Sequence, residues 1–243
     1  MSWTAQDHDT EWPFEYHATR FDLNPESTAL LVVDMQAGDM VKDTDDEYGQ
    51  KYPHVVEYWN SRIADTIIPN TQTLLGYFRE HGLRVVYTRN GAVTPHGEEV
   101  TTRLKARKKR GSDRPSDRYR GAPAYEVAEA IYPTEDELVV DKLTSSAFHN
   151  TMLDHALRNL GITDVVITGV LTDMCILGTA RVASELGYNA LIAEDACGTL
   201  TQRAHDEALL MHARVFGRVS TTDDVIADLE QADAVRAELV AKE

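Results

Sequence analysis

Cysteine is scarce in this chain: two residues in 243, neither in a spacing that suits a metal centre. That excludes a disulfide scaffold and points to a reducing cytoplasmic setting. Long apolar runs are also lacking. The longest, such as Ala29–Val33, have the length of a strand and are far too short to span a bilayer, so no membrane partner is expected. The opening residues carry Asp7, Asp9, Glu11 and Glu15 among Trp3, Trp12, Phe14 and Tyr16, which reads as no secretory or transit leader. Positive charge is in deficit as well, with 24 Lys and Arg against 40 Asp and Glu and a formal net charge of −16. Phosphate backbones would be repelled, so nucleic acid is not an expected partner.

What is present suits one large α/β domain. Hydrophobic residues make up 42% of the chain, enough for a substantial core. Residues 1–27 read as an N-terminal extension and 28–243 as a single domain. Short apolar runs at Ala29–Val33, Leu83–Tyr87, Glu137–Val140, Val165–Thr168 and Ala190–Ala193 read as buried strands, with a sixth at Arg214–Phe216. Between them lie helical patterns over Ile63–His81, with Pro69 at a start or kink, and over His149–Leu160. Further patterns follow Cys175 and cover Gln202–His212 and Asp223–Leu239; Gly82, Gly161 and Gly187 act as stops. Buried strands alternating with helices imply a parallel sheet covered on both faces, whose ligands bind beyond the carboxyl ends of the strands.

Three residues of complementary chemistry fall at that edge: Asp34 after the first strand, Lys142 after the third and Cys175 after the fourth. Each has an ordinary structural reading as turn former, solvated cation or core thiol. Together they make a nucleophile, an acid–base group and a cation. A thiol at a helix N-terminus faces unpaired N–H groups and the positive end of the dipole, which favours thiolate. Asp34 would take the thiol proton, directly or through water, and later protonate a leaving nitrogen. The N–H of Cys175 and one from Gly169–Thr172 would hold the oxyanion.

Other residues near this edge carry two readings each. Gln36 binds substrate or caps the next helix. Tyr87, Arg89 and Asn90 end the second strand and would line the pocket; Arg89 is a clamp for a carboxylate or carbonyl, or else a surface ion pair. Phe148 walls the pocket or belongs to the core. Asn150 binds substrate or caps a helix. Cys197 reads as packing. The basic run Arg103–Arg120 is a solvated or partner-facing loop, or a flap that brings a cation to an anionic substrate. Tyr48, Tyr52, Tyr58 and Trp59 form an aromatic segment suited to a lid or an oligomer contact.

The segments Ala29–Gln36, Asp141–Phe148, Ile167–Cys175 and Glu194–Cys197 resemble the isochorismatase-like cysteine hydrolases over roughly residues 28–220. The resemblance implies a three-layer α-β-α fold around a six-stranded, mostly parallel sheet. It implies an Asp34–Lys142–Cys175 triad. It also implies a non-proline cis peptide at Val170–Leu171, with the Leu171 N–H as second oxyanion donor. Nicotinamidases of this family bind a metal through an Asp-x-His motif that Tyr87–His96 lacks, so no metal and no cofactor is expected. Retention of Cys175 favours C–N hydrolysis of an amide, ureide or carbamoyl compound, similar to the ureidoacrylate, biuret and N-carbamoylsarcosine amidohydrolases. Vinyl-ether hydrolysis of the isochorismatase type, or a non-catalytic binding protein on the same fold, are the alternatives. A small-molecule substrate and a homo-oligomer, dimer or tetramer, complete the expectation.

Overall fold

The computed structural model describes residues 4–13, 20–101 and 118–240. Six strands form one sheet in the order β3-β2-β1-β4-β5-β6. They are β1 Thr28–Val33, β2 Arg84–Asn90, β3 Leu138–Lys142, β4 Asp164–Val170, β5 Asn189–Gly198 and β6 Arg218–Ser220. Every neighbouring pair is parallel. The helices are α1 Ala5–His8, α2 Glu47–Lys51, α3 Pro53–Arg62, α4 Ile68–Glu80, α5 Leu153–Asn159, α6 Leu177–Glu185, α7 Gln202–Val215 and α8 Thr222–Val240. Two π-helical turns, Ile63–Ile67 and Thr172–Ile176, lead into α4 and α6.

Side-chain alternation along the strands builds the three layers. Leu30 and Val32 of β1 face one way and pack with Leu74 and Phe78 of α4 and Val225 and Leu229 of α8. Ala29, Leu31 and Val33 face the other way and pack with Leu157 of α5, Ala180 and Ala183 of α6 and Leu209 of α7. Because both faces are covered, the central strands are apolar at nearly every position, and each fully buried Leu, Ile or Val contributes roughly 1.5–3 kcal/mol.

The expected sixth strand at Arg214–Phe216 is corrected: α7 runs on to Val215, and the strand begins at Arg218. Met211, His212 and Val215 keep helical spacing past the point where the apolar run looked strand-like. The helix expected from His149 starts only at Leu153, because Asn150 adopts a left-handed φ of 55° that a helix cannot hold. Pro69 falls just after the π turn within a helix that runs on from α3, so it lies at a helical irregularity rather than at a free start. Trp59 lies in the core, its indole N–H donating to the Asp39 carbonyl at 2.9 Å, so this part of the aromatic segment is packing rather than lid. No helix among the described residues is long and apolar enough to cross a membrane.

Candidate active site

The chain leaves the sheet on one side after β1, β2 and β3, then crosses back to β4. The strand order reverses between β1 and β4, and in sheets of this kind ligands bind beyond the strands' carboxyl ends at that switch. Asp34 follows β1 with a left-handed φ of 54°, a region that Asp tolerates better than most residues. Its Oδ1 accepts the Thr88 hydroxyl at 2.7 Å. Its Oδ2 lies 2.7 Å from Lys142 Nζ as an ion pair and accepts no aligned hydrogen bond. That oxygen is therefore placed to receive a proton.

Lys142 comes from the edge strand β3, and its side chain is fully buried. Two of its three protons go to the carbonyls of Thr144 and Ser145, each at 2.9 Å. A third contact reaches Cys175 Sγ at 3.3 Å. Burial works against the ammonium, but Asp34 and, once ionised, Cys175 outweigh it and raise the Lys142 pKa. Lys142 thus stands as a fixed cation between carboxylate and sulfur.

Cys175 is the fourth residue of the π turn Thr172–Ile176 and is half-buried. The expectation of a thiolate favoured by a helix N-terminus is corrected. Burial, reinforced by the charge of Asp34 and only partly opposed by Lys142, pushes the thiol up to about 12. At neutral pH the sulfur keeps its proton until a base takes it. The peptide Val170–Leu171 is cis. The Leu171 carbonyl accepts the N–H groups of Met174 and Ile176 at 3.0 and 3.1 Å, which flank that of Cys175 and shape the turn around it. Gly169, with φ +118°, makes the junction possible: a Cβ there would lie 2.1 Å from the Val33 carbonyl oxygen.

The remaining expected residues divide. Asn90 comes to the site, with Nδ2 3.7 Å from Cys175 Sγ. Gln36 is buried beside it, but its amide is occupied at both ends: Oε1 accepts from the Asn90 N–H at 2.8 Å and Nε2 donates to the Tyr125 carbonyl at 2.7 Å. It ties the ends of β1 and β2 to the 125–127 segment. Tyr87 points to the opposite face, its hydroxyl accepting from Arg79 at 3.0 Å. Arg89 is held by Asp141 at 2.8 Å and Glu126 at 2.5 Å over the Tyr125 ring, which is the ion-pair reading rather than a clamp. Phe148 packs on Tyr188 in the core, ring centroids 5.5 Å apart. Asn150 is an exposed turn residue and caps nothing; Thr151 Oγ1 accepts the Leu153 N–H instead. Cys197 is fully buried, and Sγ contacts the Ile167 carbonyl.

One contributor was missed, and another was read only as part of a basic run. Thr88 was legible from strand alternation, since it shares a face with Asn90. Arg118 belongs to the basic run Arg103–Arg120, of which residues 103–117 lie outside the described residues. Its guanidinium pairs with Asp39. Burial lowers its pKa while the charges of Asp34 and Cys175 oppose that shift, which puts it within electrostatic reach of the site. Among the described residues, no three His, Cys, Asp or Glu side chains are grouped to hold a metal.

A family model described as the isochorismatase domain matches residues 28–224. The chain belongs to the isochorismatase family. It is 30% identical over 219 residues to the ureidoacrylate amidohydrolase RutB of Variovorax paradoxus, covering 87% of this chain and 85% of that protein. An uncharacterized isochorismatase family protein of Escherichia coli, YecD, is 28% identical over 84% of this chain and 97% of its own length. Among solved structures, a cysteine hydrolase from Pseudomonas syringae superposes with a TM-score of 0.70 at 27% identity, covering 88% of this chain and 98% of that one. The N-carbamoylsarcosine amidase of Thermoplasma acidophilum shares the fold, with a TM-score of 0.61 at 24% identity over 81% of this chain and 97% of its own. This isochorismatase-family protein is a hydrolase with amidohydrolases among its relatives.

Proposed function

We propose that the protein hydrolyses the C–N bond of a small amide, ureide or carbamoyl compound through a thioester on Cys175. The observation that carries this reading is one ammonium, Lys142 Nζ, 2.7 Å from Asp34 Oδ2 and 3.3 Å from Cys175 Sγ. Asp34 takes the thiol proton as sulfur bonds to the carbonyl carbon, and the carbonyl π electrons move to oxygen. The N–H groups of Leu171 and Cys175 hold that oxyanion. The oxyanion collapses, the C–N bond breaks, and protonated Asp34 delivers its proton to the leaving nitrogen, releasing ammonia or an amine. Water, deprotonated by Asp34, then adds to the thioester, and the expelled thiolate recovers the proton.

The high thiol pKa fits this order of events. Burial and the charge of Asp34 favour the thiol over the thiolate, which supports proton removal in concert with attack, with Asp34 as the base. Arg118 takes the part first given to Arg89: it pairs with Asp39, feels the charge of Asp34, and is the cation we assign to an anionic group on the substrate.

The test is ammonia release from ureidoacrylate, N-carbamoylsarcosine, biuret and simple primary amides. Turnover of at least one, falling by about a hundredfold or more in both Cys175→Ser and Asp34→Asn, is expected. Full turnover in either variant, or pyruvate from isochorismate with no ammonia from the panel, would overturn the proposal.

A further inference from the structure

Behind the cysteine turn lies a buried histidine that the reaction above does not use. His205, in the first turns of α7, has no exposed surface. Its Nδ1 is 2.9 Å from the hydroxyl oxygen of Thr172, and its Nε2 is 3.1 Å from Arg62 Nη2. The Glu194 carboxylate has Oε2 3.7 Å from Nε2, beyond hydrogen-bond range. A guanidinium nitrogen can only donate, so Nε2 must accept from it. The proton of the neutral ring therefore sits on Nδ1 and is donated to Thr172.

Both ends of this chain of contacts are anchored. Arg62 comes from the end of α3; its Nε donates to the Cys197 carbonyl at 3.3 Å, and the second Nη2 proton goes to the Glu194 carbonyl at 3.2 Å. These carbonyls belong to the stretch of β5 where pairing with β4 shifts register between Ile167 and Gly169. Thr172 is the first residue of the π turn, directly after Leu171 and three before Cys175. Next to it, Asp173 Oδ1 accepts the Thr199 hydroxyl at 2.6 Å, a second tether on the same turn.

We propose that His205 is a positioning residue: by donating from Nδ1 to Thr172 it fixes the turn that presents the Leu171 and Cys175 N–H groups to the oxyanion. The proposal rests on the thioester reading, because it concerns where that intermediate is held. It makes a distinction that loss of packing would not. Acylation of the sulfur develops an oxyanion, whereas alkylation by iodoacetamide develops none. Loosening these donors should slow the first and spare the second.

The experiment compares the burst of p-nitrophenol from p-nitrophenyl acetate with the rate of iodoacetamide alkylation, both at pH 8. The variants are His205→Leu, His205→Asn, Thr172→Val and the double variant His205→Leu/Thr172→Val. Displacing catalytic donors by a fraction of an ångström to an ångström costs about tenfold to a hundredfold. His205→Leu and Thr172→Val are expected to slow the burst to that extent, with alkylation within about threefold of the parent. The double variant should be no slower than either single one, since both remove the same contact. His205→Asn, whose amide N–H can stand in for Nδ1–H, should recover most of the burst rate. Thr172→Val keeps the test open should the leucine variant fail to fold. An unchanged burst in Thr172→Val, a parallel loss of alkylation in both variants, or no recovery in His205→Asn would overturn the proposal. Cys175→Ser separates the two readings: a burst that survives it defeats the thioester, whereas a burst lost there and intact in the His205 and Thr172 variants defeats only the positioning role.

Discussion

At the scale of single residues, the site depends on a sulfur that is kept as a thiol. Burial and the charge of Asp34 place its pKa at about 12, against the pull of Lys142. Iodoacetamide alkylation of the free enzyme should therefore be slow at pH 7 and still climbing at pH 10. Removing the cation in Lys142→Met should slow alkylation further across that range; an unchanged profile would remove Lys142 from this role. Thr88 sets the carboxylate. Thr88→Val leaves Asp34 Oδ1 without its 2.7 Å donor, and a kcat loss of about tenfold with little change in KM is expected from steady-state kinetics. Arg118→Gln should raise KM for ureidoacrylate, which carries a carboxylate, and leave KM for neutral biuret within about twofold; an equal rise for both would make Arg118 a structural clasp to Asp39.

At the scale of elements, the junction from β4 into α6 tolerates little change. Gly169→Ala would drive a methyl group into the Val33 carbonyl at a φ that L residues avoid, and a stability loss above about 3 kcal/mol is expected in urea denaturation. Helix α7 carries a second test. His212 is fully buried, its Nε2 3.2 Å from the Ala190 carbonyl, and burial lowers its pKa to about 4. The unfolded chain, with an ordinary histidine value near 6.5, binds more protons between pH 6.5 and 4, so stability is lost as pH falls through that window. A full shift of this size is worth about 3 kcal/mol, and His212→Gln should flatten that part of the urea-midpoint profile. The sequence made the first five strands and their alternation with helices legible, because short continuous apolar runs between helical patterns that stop at Gly have few other uses. It also placed Asp34, Lys142 and Cys175 at one edge, because parallel strands put every carboxyl end on the same side. It failed where tertiary contacts decide. Arg89 looked like a clamp because Glu126, one of its two partners, comes from a segment with no strand signal. The thiol looked activated because burial is invisible in a helix pattern. His205 looked like one more residue of an amphipathic helix, because only the fold brings Arg62 and Thr172 to its ring.

At the scale of the whole molecule, charge and direction matter most. A net charge of −16 on a 27.2 kDa chain opposes compactness through self-repulsion, and salt screens it. The melting temperature at pH 7.5 should rise between 20 and 300 mM NaCl; a fall would mean that ion pairs such as Arg79–Glu137 outweigh the repulsion. Direction has a practical consequence. All six strands point the same way, so the turns that feed β2, β4 and β5 lie at the far end from the chemistry. Each of them carries a left-handed glycine, Gly82, Gly161 or Gly187, around which a new Cβ would meet nothing within 4 Å. Those turns are handles: a fluorophore, a peptide insertion or a link to a solid support placed there leaves the strands' carboxyl ends facing outward, and the immobilised protein should work at the same rate as the free one.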